Sequence, residues 1–145
     1  MTPLSQSPLL RSLKTIQGSE PGLGRISVVE AFKDTSFEIR RVYFTCEVKA
    51  GCIRGGHAHK TLTQLLICPF GAIEVTLDNG LGVVETVALE TPDVGLVVGP
   101  ALWHTMRWLK DDGVLLVMAS DHYDESDYIR DYATFLLWAK ERERT

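Results

Sequence analysis

The sequence of 145 residues contains no apolar run that approaches the roughly 20 residues needed to span a membrane. Its first residues lack the basic start and apolar stretch of a secretion signal. Cysteine is scarce: Cys46, Cys52 and Cys68 form no Cys-x-x-Cys pair, and their odd number does not suit a disulfide framework. These absences predict a cytoplasmic protein without a membrane span, with reduced thiols and no thiolate zinc site.

Positive charge is also in short supply. Lysine and arginine number 15 against 19 aspartates and glutamates, which gives a formal net charge of -4. A protein that binds nucleic acid non-specifically needs a basic face, so no nucleic-acid partner is expected. A glycine-rich dinucleotide fingerprint is missing as well. A local basic pocket for a phosphorylated small molecule remains compatible with this composition.

The first 23 residues are rich in proline, glycine and serine and make poor helix or strand formers. They are interpreted as a flexible N-terminal extension, in which Leu9, Leu10 and Leu13 are candidates for a short edge strand. Residues 24–145 are predicted to form a single domain.

Within residues 24–145, short β-rich segments alternate with turn residues at intervals of roughly eight to twelve, which is typical of an all-β sandwich or barrel. Asn79-Gly80 lies between two such segments and predicts a β-hairpin. The tail differs, because residues 132–141 have a helical composition and Asp131 is a plausible N-cap. The sequence therefore predicts an all-β fold with a short C-terminal helix.

The segment most informative about chemistry contains His57-Ala-His59. Side chains on a strand alternate, so both imidazoles are expected on the same face. The spacing of Gly51, His57, His59, Gln64 and Gly71 resembles the first motif of the cupin superfamily.

A later block, residues 95–104, resembles the second cupin motif and ends at His104. Metal-binding cupins usually have a glutamate where this chain has Gln64. A neutral amide is a poorer ligand for a divalent cation. No metal is therefore expected, although a site made of three histidines stays open as an alternative.

Longer strings narrow the resemblance. They are Phe37–Tyr43, Arg54–Lys60, Trp103–Met106, Val114–Ser120 and Tyr123–Tyr132. Over about residues 25–137 the chain resembles the dTDP-sugar 3,4-ketoisomerase family. The resemblance implies a cupin-type β-barrel (a jelly roll), a homodimer, and a cofactor-free, metal-independent isomerase. Its substrate would be a dTDP-linked keto-sugar, used in the biosynthesis of deoxy or amino sugars.

Moving a ketone from C4 to C3 of a hexose requires a base to remove the C3 proton, and donors for the oxygens of the enediolate between the two ketones. Histidine has a suitable pKa without perturbation. His57 and His59 are therefore predicted to share the proton transfers. Which of them moves the carbon-bound proton is left open. Tyr43 is predicted to donate to the sugar oxygens.

Other candidates are predicted to bind the substrate. Arg41 and Arg54 suit the diphosphate because guanidinium binds phosphate oxygens through two donors. Gln64 would hold a histidine tautomer or a sugar hydroxyl, and Trp103 and His104 would line the mouth of the barrel. Arg41 and Tyr43 alternate with Thr45 along one strand, so these three side chains are expected to point inward together.

Three other functions stay open. A metal-dependent cupin, either a dioxygenase or an isomerase, would use His57, His59 and His104 as ligands. A non-catalytic domain would bind a sugar nucleotide without turnover. A keto-sugar epimerase would also remove a proton next to a ketone, and the stereochemistry of its product would distinguish it.

Overall fold

Two five-stranded sheets face each other across an apolar core in the computed structural model of this protein, which describes residues 9–145. The strands of the first sheet, in spatial order, are β1 (Leu10–Ser12), β9 (Val94–Val98), β6 (Gln64–Phe70), β11 (Gly113–Ala119) and β4 (Arg41–Val48). Those of the second are β12 (Tyr128–Ile129), β5 (Ile53–His59), β10 (Trp103–Trp108), β7 (Ile73–Asp78) and β8 (Val84–Leu89). All neighbouring strands run antiparallel.

The core forms because alternate residues of both sheets are apolar and point toward each other. Leu66 and Leu115 come from the first sheet, and Leu77 and Trp108 from the second, and each is almost fully buried. The buried Trp108 indole N–H donates to the carbonyl of Gly113 at 2.7 Å, which satisfies its polar group. The predicted all-β barrel is confirmed.

The Asn79-Gly80 hairpin is also confirmed, since it joins β7 to β8 with Asp78 opposite Val84. The Asn79 side chain accepts from the backbone N–H groups of Leu81 and Val83, at 2.8 and 3.1 Å. These bonds fix the turn against which the C-terminal helix packs.

The C-terminal helix α1 spans Tyr132–Arg144, and the predicted N-cap is confirmed. The Asp131 carboxylate accepts from the backbone N–H of Thr134 at 2.9 Å. On its inner face Phe135 and Ala139 are buried against Ala58 and Ile129 of the second sheet. No helix in residues 9–145 is long and apolar enough to cross a membrane.

Residues 10–17 include the short edge strand for which the leucines were candidates. Leu10–Ser12 is the outer strand of the first sheet, paired with β9, and Leu13 is 7% exposed within a second apolar cluster. Lys14–Gln17 (β2) pairs with Arg25–Val28 (β3). The apolar leucines outweigh the prolines and glycines on either side, so the barrel begins before residue 24. Residues 1–8 lie outside the described part of the chain.

Candidate active site

An open cavity of about 310 Å³ lies between the two sheets. Two predicted catalytic residues, Tyr43 and His57, and two predicted binding residues, Arg41 and Arg54, line it. The other lining residues are Thr45, Gly55, Met106, Trp108, Leu115, Tyr128 and Arg130. The lining therefore combines apolar side chains with three arginines, two tyrosines and a histidine, which is the usual composition of a site for a polar small molecule.

Alternate side chains of β4 form one side of the cavity. Arg41, Tyr43 and Thr45 of β4 all line it, as the sequence predicts. Val42 and Phe44 point to the opposite face of the same strand and are 58% and 66% exposed. A strand with polar residues inside and large apolar residues outside inverts the usual pattern, which indicates that both faces have a function.

A distorted stretch of β5 brings His57 to the cavity. Gly55 and Gly56 both have positive φ, 89° and 78°, and the pairing with β10 shifts register there. A Cβ on Gly55 would lie 2.8 Å from the carbonyl oxygen of His104, which leaves room for glycine alone. The close approach of the two strands sets His57 beside His104.

Three imidazoles meet behind the cavity wall. The ring of His57 lies 5.1 Å from that of His59 and 4.7 Å from that of His104, centroid to centroid. His59 and His104 are almost fully buried, and His57 is the one that lines the cavity. His57 is thus the histidine that a molecule in the cavity can touch.

Hydrogen bonds identify the protonated nitrogen of the two deeper rings. The Nδ1 atom of His104 lies 3.0 Å from the carbonyl oxygen of Leu102, which can only accept, so Nδ1 carries the proton. The Nδ1 atom of His59 lies 3.2 Å from the Asp127 carboxylate and donates to it. In both rings Nε2 is left with a lone pair.

All three imidazoles are neutral near pH 7. Desolvation, together with the charge of His104, lowers the pKa of His57 to about 3. The same two causes lower the pKa of His59 to about 4, against the opposing effect of Asp127. Burial also lowers the pKa of His104. A neutral imidazole at the cavity wall can accept a proton.

The hydroxyl group of Tyr43 can donate a hydrogen bond to a molecule in the cavity. The Gln64 side-chain amide donates to the Tyr43 hydroxyl oxygen at 2.7 Å, so the O–H proton of Tyr43 is free to point into the cavity. Burial raises the pKa of Tyr43, which keeps the hydroxyl protonated. Gln64 is buried and lies outside the cavity lining, and its identified hydrogen bond goes to Tyr43, so its role toward the substrate stays a prediction.

Arg41 contributes a cation in an aromatic setting. Its guanidinium lies 5.3 Å from the ring centroid of Tyr43 and 5.8 Å from that of Tyr123. Its Nε atom is buried without a hydrogen-bond partner among the described residues. An unpaired buried donor on the cavity wall favours an anionic ligand there.

Two predicted residues lie away from the cavity. Trp103 alternates with His104 on β10, so it points outward and packs against Tyr132 and Phe135, at 5.2 and 5.6 Å between ring centroids. It stabilises the helix and does not line the barrel mouth. His104 points inward, but it is buried behind His57 and does not line the mouth either.

The segment after β11 contains site residues that the sequence analysis missed. Asp127 contacts His59, and the ring of Tyr128 lies 4.9 Å from that of His57. Arg130 sits 4.3 Å from the Tyr128 ring centroid and is held by the carboxylate of Glu125 at 2.6 and 3.0 Å. The signal was present in the string Tyr123–Tyr132, but an acidic run is most often a solvated turn.

The histidine cluster could hold a metal ion, because one nitrogen from each ring lies within 4.8 Å of the others. The fourth position of the cupin metal motif is Gln64, whose amide is engaged with Tyr43. The three imidazoles suit a transition metal, whereas the missing carboxylate weakens such a site.

Comparison with known proteins agrees with this geometry. The protein-family model described as "FdtA: WxcM-like, C-terminal" matches residues 9–140. TDP-4-oxo-6-deoxy-alpha-D-glucose-3,4-oxoisomerase of Aneurinibacillus thermoaerophilus is 46% identical over 112 residues, covering 77% of this chain and 80% of the relative. The chain belongs to the sugar 3,4-ketoisomerase family.

Two solved members of the ketoisomerase family share the fold. A mutant of QdtA from Thermoanaerobacterium thermosaccharolyticum, solved with TDP-4-keto-6-deoxyglucose, superimposes with a TM-score of 0.85 at 37% identity, covering 92% of this chain and 94% of that one. The TDP-quinovose 3,4-ketoisomerase WlaRB of Campylobacter jejuni gives a TM-score of 0.81 at 37% identity, covering 88% and 95%. The barrel is therefore that of the 3,4-ketoisomerases.

Proposed function

We propose that this ketoisomerase moves the keto group of a TDP-4-keto-6-deoxyhexose from C4 to C3, with His57 as the base that contacts the sugar. The observation that carries the proposal is the neutral imidazole of His57 in a cavity shared with the Tyr43 hydroxyl and three arginines. The sugar class is that of the relatives, a TDP-4-oxo-6-deoxyglucose 3,4-oxoisomerase and a ketoisomerase solved with TDP-4-keto-6-deoxyglucose.

The proton balance needs no external reagent. His57 takes the proton from C3, and the electron pair of that C–H bond forms the C3–C4 double bond while the C4 oxygen becomes an oxyanion. The C4 oxygen then takes up a proton and the C3 hydroxyl loses one, so the enolate oxygen is now on C3. A proton delivered to C4 then leaves the ketone at C3. Substrate and product are isomers, so no net oxidation or reduction occurs.

In the proposed mechanism Tyr43 donates a hydrogen bond to the developing oxyanion. The Gln64 amide donates to the Tyr43 oxygen, so the hydroxyl proton of Tyr43 is free for this bond. Arg41 and Arg54 line the same cavity and would bind the diphosphate. The negative charge of the diphosphate would raise the pKa of His57 toward neutrality in the complex, which suits general-base catalysis.

The metal-dependent cupin is a second candidate, favoured by the spacing of His57, His59 and His104. The test is conversion of TDP-4-keto-6-deoxyglucose followed by proton NMR with excess EDTA. A 3-keto product formed under chelation supports the isomerase with histidine as base. Turnover that requires an added divalent metal would replace it with the metallocupin. Nucleotide-sugar binding without turnover in either condition would leave a binding domain and contradict the isomerase.

We further propose a homodimer. Strand β4 is the edge of its sheet and presents exposed Val42 and Phe44. They pair with Met118 and Leu116 of β11, which pack within the second apolar cluster, so Val42 and Phe44 form an exposed apolar strip beside it, of the kind that a second copy covers.

A cytoplasmic location remains a proposal, supported by the free thiols of Cys46, Cys52 and Cys68.

A further inference from the structure

The carboxylate of Asp127 lies at the centre of a dense set of hydrogen bonds. Its Oδ1 atom accepts from the backbone N–H and the hydroxyl of Thr61, at 2.8 and 2.7 Å. Its Oδ2 atom accepts from the backbone N–H of Leu62 at 3.3 Å and from His59 Nδ1 at 3.2 Å. Two independent donors on Oδ1 fix the plane of the carboxylate, so Oδ2 is held toward His59.

The backbone reinforces this placement. The N–H of Lys60 donates to the carbonyl of Asp127 at 2.9 Å, and Tyr128 pairs with His59 across β12 and β5. His59 is 1% exposed and the Asp127 side chain 12%. Water therefore has little access to the contact, and a hydrogen bond to a carboxylate is stronger in such surroundings.

The hydrogen bond from His59 to Asp127 determines which nitrogen of His59 carries the lone pair. With Nδ1 bound to Asp127, the Nε2 atom of His59 holds a lone pair, and it is buried without a partner among the described residues. The Nδ1 atom of His57 is also buried without such a partner. The two rings are 5.1 Å apart at a steep angle of 79°.

His104 presents the same arrangement from the other side. Its Nδ1 donates to Leu102, so its Nε2 also carries a lone pair, and its ring lies 4.7 Å from that of His57. His59 and His104 thus each hold a basic nitrogen within the cluster, and His57 is the ring of the three that lines the cavity.

We infer that Asp127 is a positioning residue for the isomerisation: it orients the ring of His59 and fixes its tautomer, so that the buried Nε2 of His59, one of the two histidines predicted to share the proton transfers, carries the lone pair. Asp127 does not touch the substrate. The catalytic consequence rests on the proposed function, whereas the tautomer of His59 does not depend on it.

The test is Asp127→Asn in the full chain. The amide oxygen of the new side chain can keep both Thr61 bonds, while its NH₂ group faces His59 Nδ1 and demands an acceptor there. His59 should change to the Nε2–H tautomer, which nitrogen-15 NMR of the imidazoles detects. The kcat should fall about 10- to 100-fold, as is typical when the orienting partner of a functional histidine is lost, while KM changes less than about twofold.

The matched control is Asp124→Asn, the same change in the same turn, where the carboxylate accepts from Ser126 alone among the bonds identified. It should leave the His59 tautomer and kcat as in the wild type. Equal losses of kcat in both variants, or an unchanged kcat in Asp127→Asn despite a changed tautomer, would overturn the inference.

The wild type gives a second, independent measurement if Asp127→Asn does not fold. Its nitrogen-15 spectrum must show the His59 proton on Nδ1, and a proton on Nε2 would refute the positioning role. Absence of isomerase activity with the Nδ1–H tautomer present would instead refute the proposed function and leave the Asp127–His59 contact standing.

Discussion

At the scale of single residues, the chemistry rests on the different surroundings of three histidines. His59 and His104 are fixed by hydrogen bonds to protein oxygens, and His57 alone faces the cavity. The motif leaves open which of His57 and His59 moves the carbon-bound proton. Burial favours His57, because a reacting carbon can approach only the accessible ring.

Replacing His57 by asparagine removes the base and keeps a polar side chain of smaller size. We expect kcat to fall about 10²- to 10⁴-fold, the usual contribution of a positioned general base. Steady-state kinetics on the 4-keto sugar nucleotide measure it. His122→Asn, on an exposed turn outside this cavity, is the matched control and should keep wild-type kinetics. Equal kinetics for the two variants would contradict the role of His57.

Replacing Tyr43 by phenylalanine removes one hydroxyl and leaves the ring beside Arg41. If the hydroxyl donates to the oxyanion, kcat should fall about 10²-fold with little change in KM, since this interaction strengthens only in the transition state. Stopped-time NMR assays at saturating substrate measure kcat. A rise in KM with an unchanged kcat would show that Tyr43 only binds the sugar.

At the scale of elements, the alternation of strands explains which site residues could be predicted. His57 and His59 share a face of β5, and Arg41, Tyr43 and Thr45 share a face of β4, because the period of a strand is two. The same alternation explains why Trp103 packs against Tyr132 and Phe135, since only one of two adjacent residues on a strand can face inward.

The contacts of Asp127 could not be predicted from the local sequence pattern. They join residues separated by 68 positions, and they depend on how the segment after β11 returns to pair with β5. The exposure of Val42 and Phe44 on the outer face of β4 was not predicted either, because large apolar residues usually point toward the core. Long-range pairing, rather than propensity, decides both features.

The distorted start of β5 gives a prediction about stability. Gly55→Ala places a Cβ 2.8 Å from a backbone oxygen at positive φ, so it should destabilise the protein by about 1–3 kcal/mol or more. Gly56→Ala, also at positive φ but with open space around it, should cost only about 1 kcal/mol. Urea unfolding compares the two, and equal costs would contradict the close approach of β5 and β10.

At the scale of the whole molecule, the buried histidines predict how stability depends on pH. His57 and His59 have folded pKa values of about 3 and 4, below the ordinary value of 6.5. Between pH 6.5 and 5 the unfolded chain therefore binds more protons than the folded one, and stability falls as pH falls. Each histidine adds a slope of up to about 1.4 kcal/mol per pH unit.

Urea unfolding of the wild type and of His57→Asn at several pH values checks this dependence. The variant should lose stability less steeply between pH 6.5 and 5, because it has one histidine fewer to protonate on unfolding. An identical slope in the two proteins would show that His57 titrates normally in the folded state.

The apolar outer face predicts assembly. Phe44→Lys places a charge on the proposed dimer surface and should shift the protein toward the monomer in analytical ultracentrifugation. Val84→Lys, at an equally exposed valine on the opposite sheet, should leave the assembly unchanged. A wild type that sediments as a monomer would contradict the homodimer.

The most direct test of the whole account is the hydrogen at C4 of the product. The protein is incubated with TDP-4-keto-6-deoxyglucose in D₂O containing EDTA, and the sugar protons are followed by NMR. Proton transfer through His57, whose N–H exchanges with solvent, predicts a 3-keto sugar that carries deuterium at C4. A 3-keto product with only protium at C4 would contradict a proton transfer through a His57 that exchanges with solvent, and no product would contradict the isomerase itself.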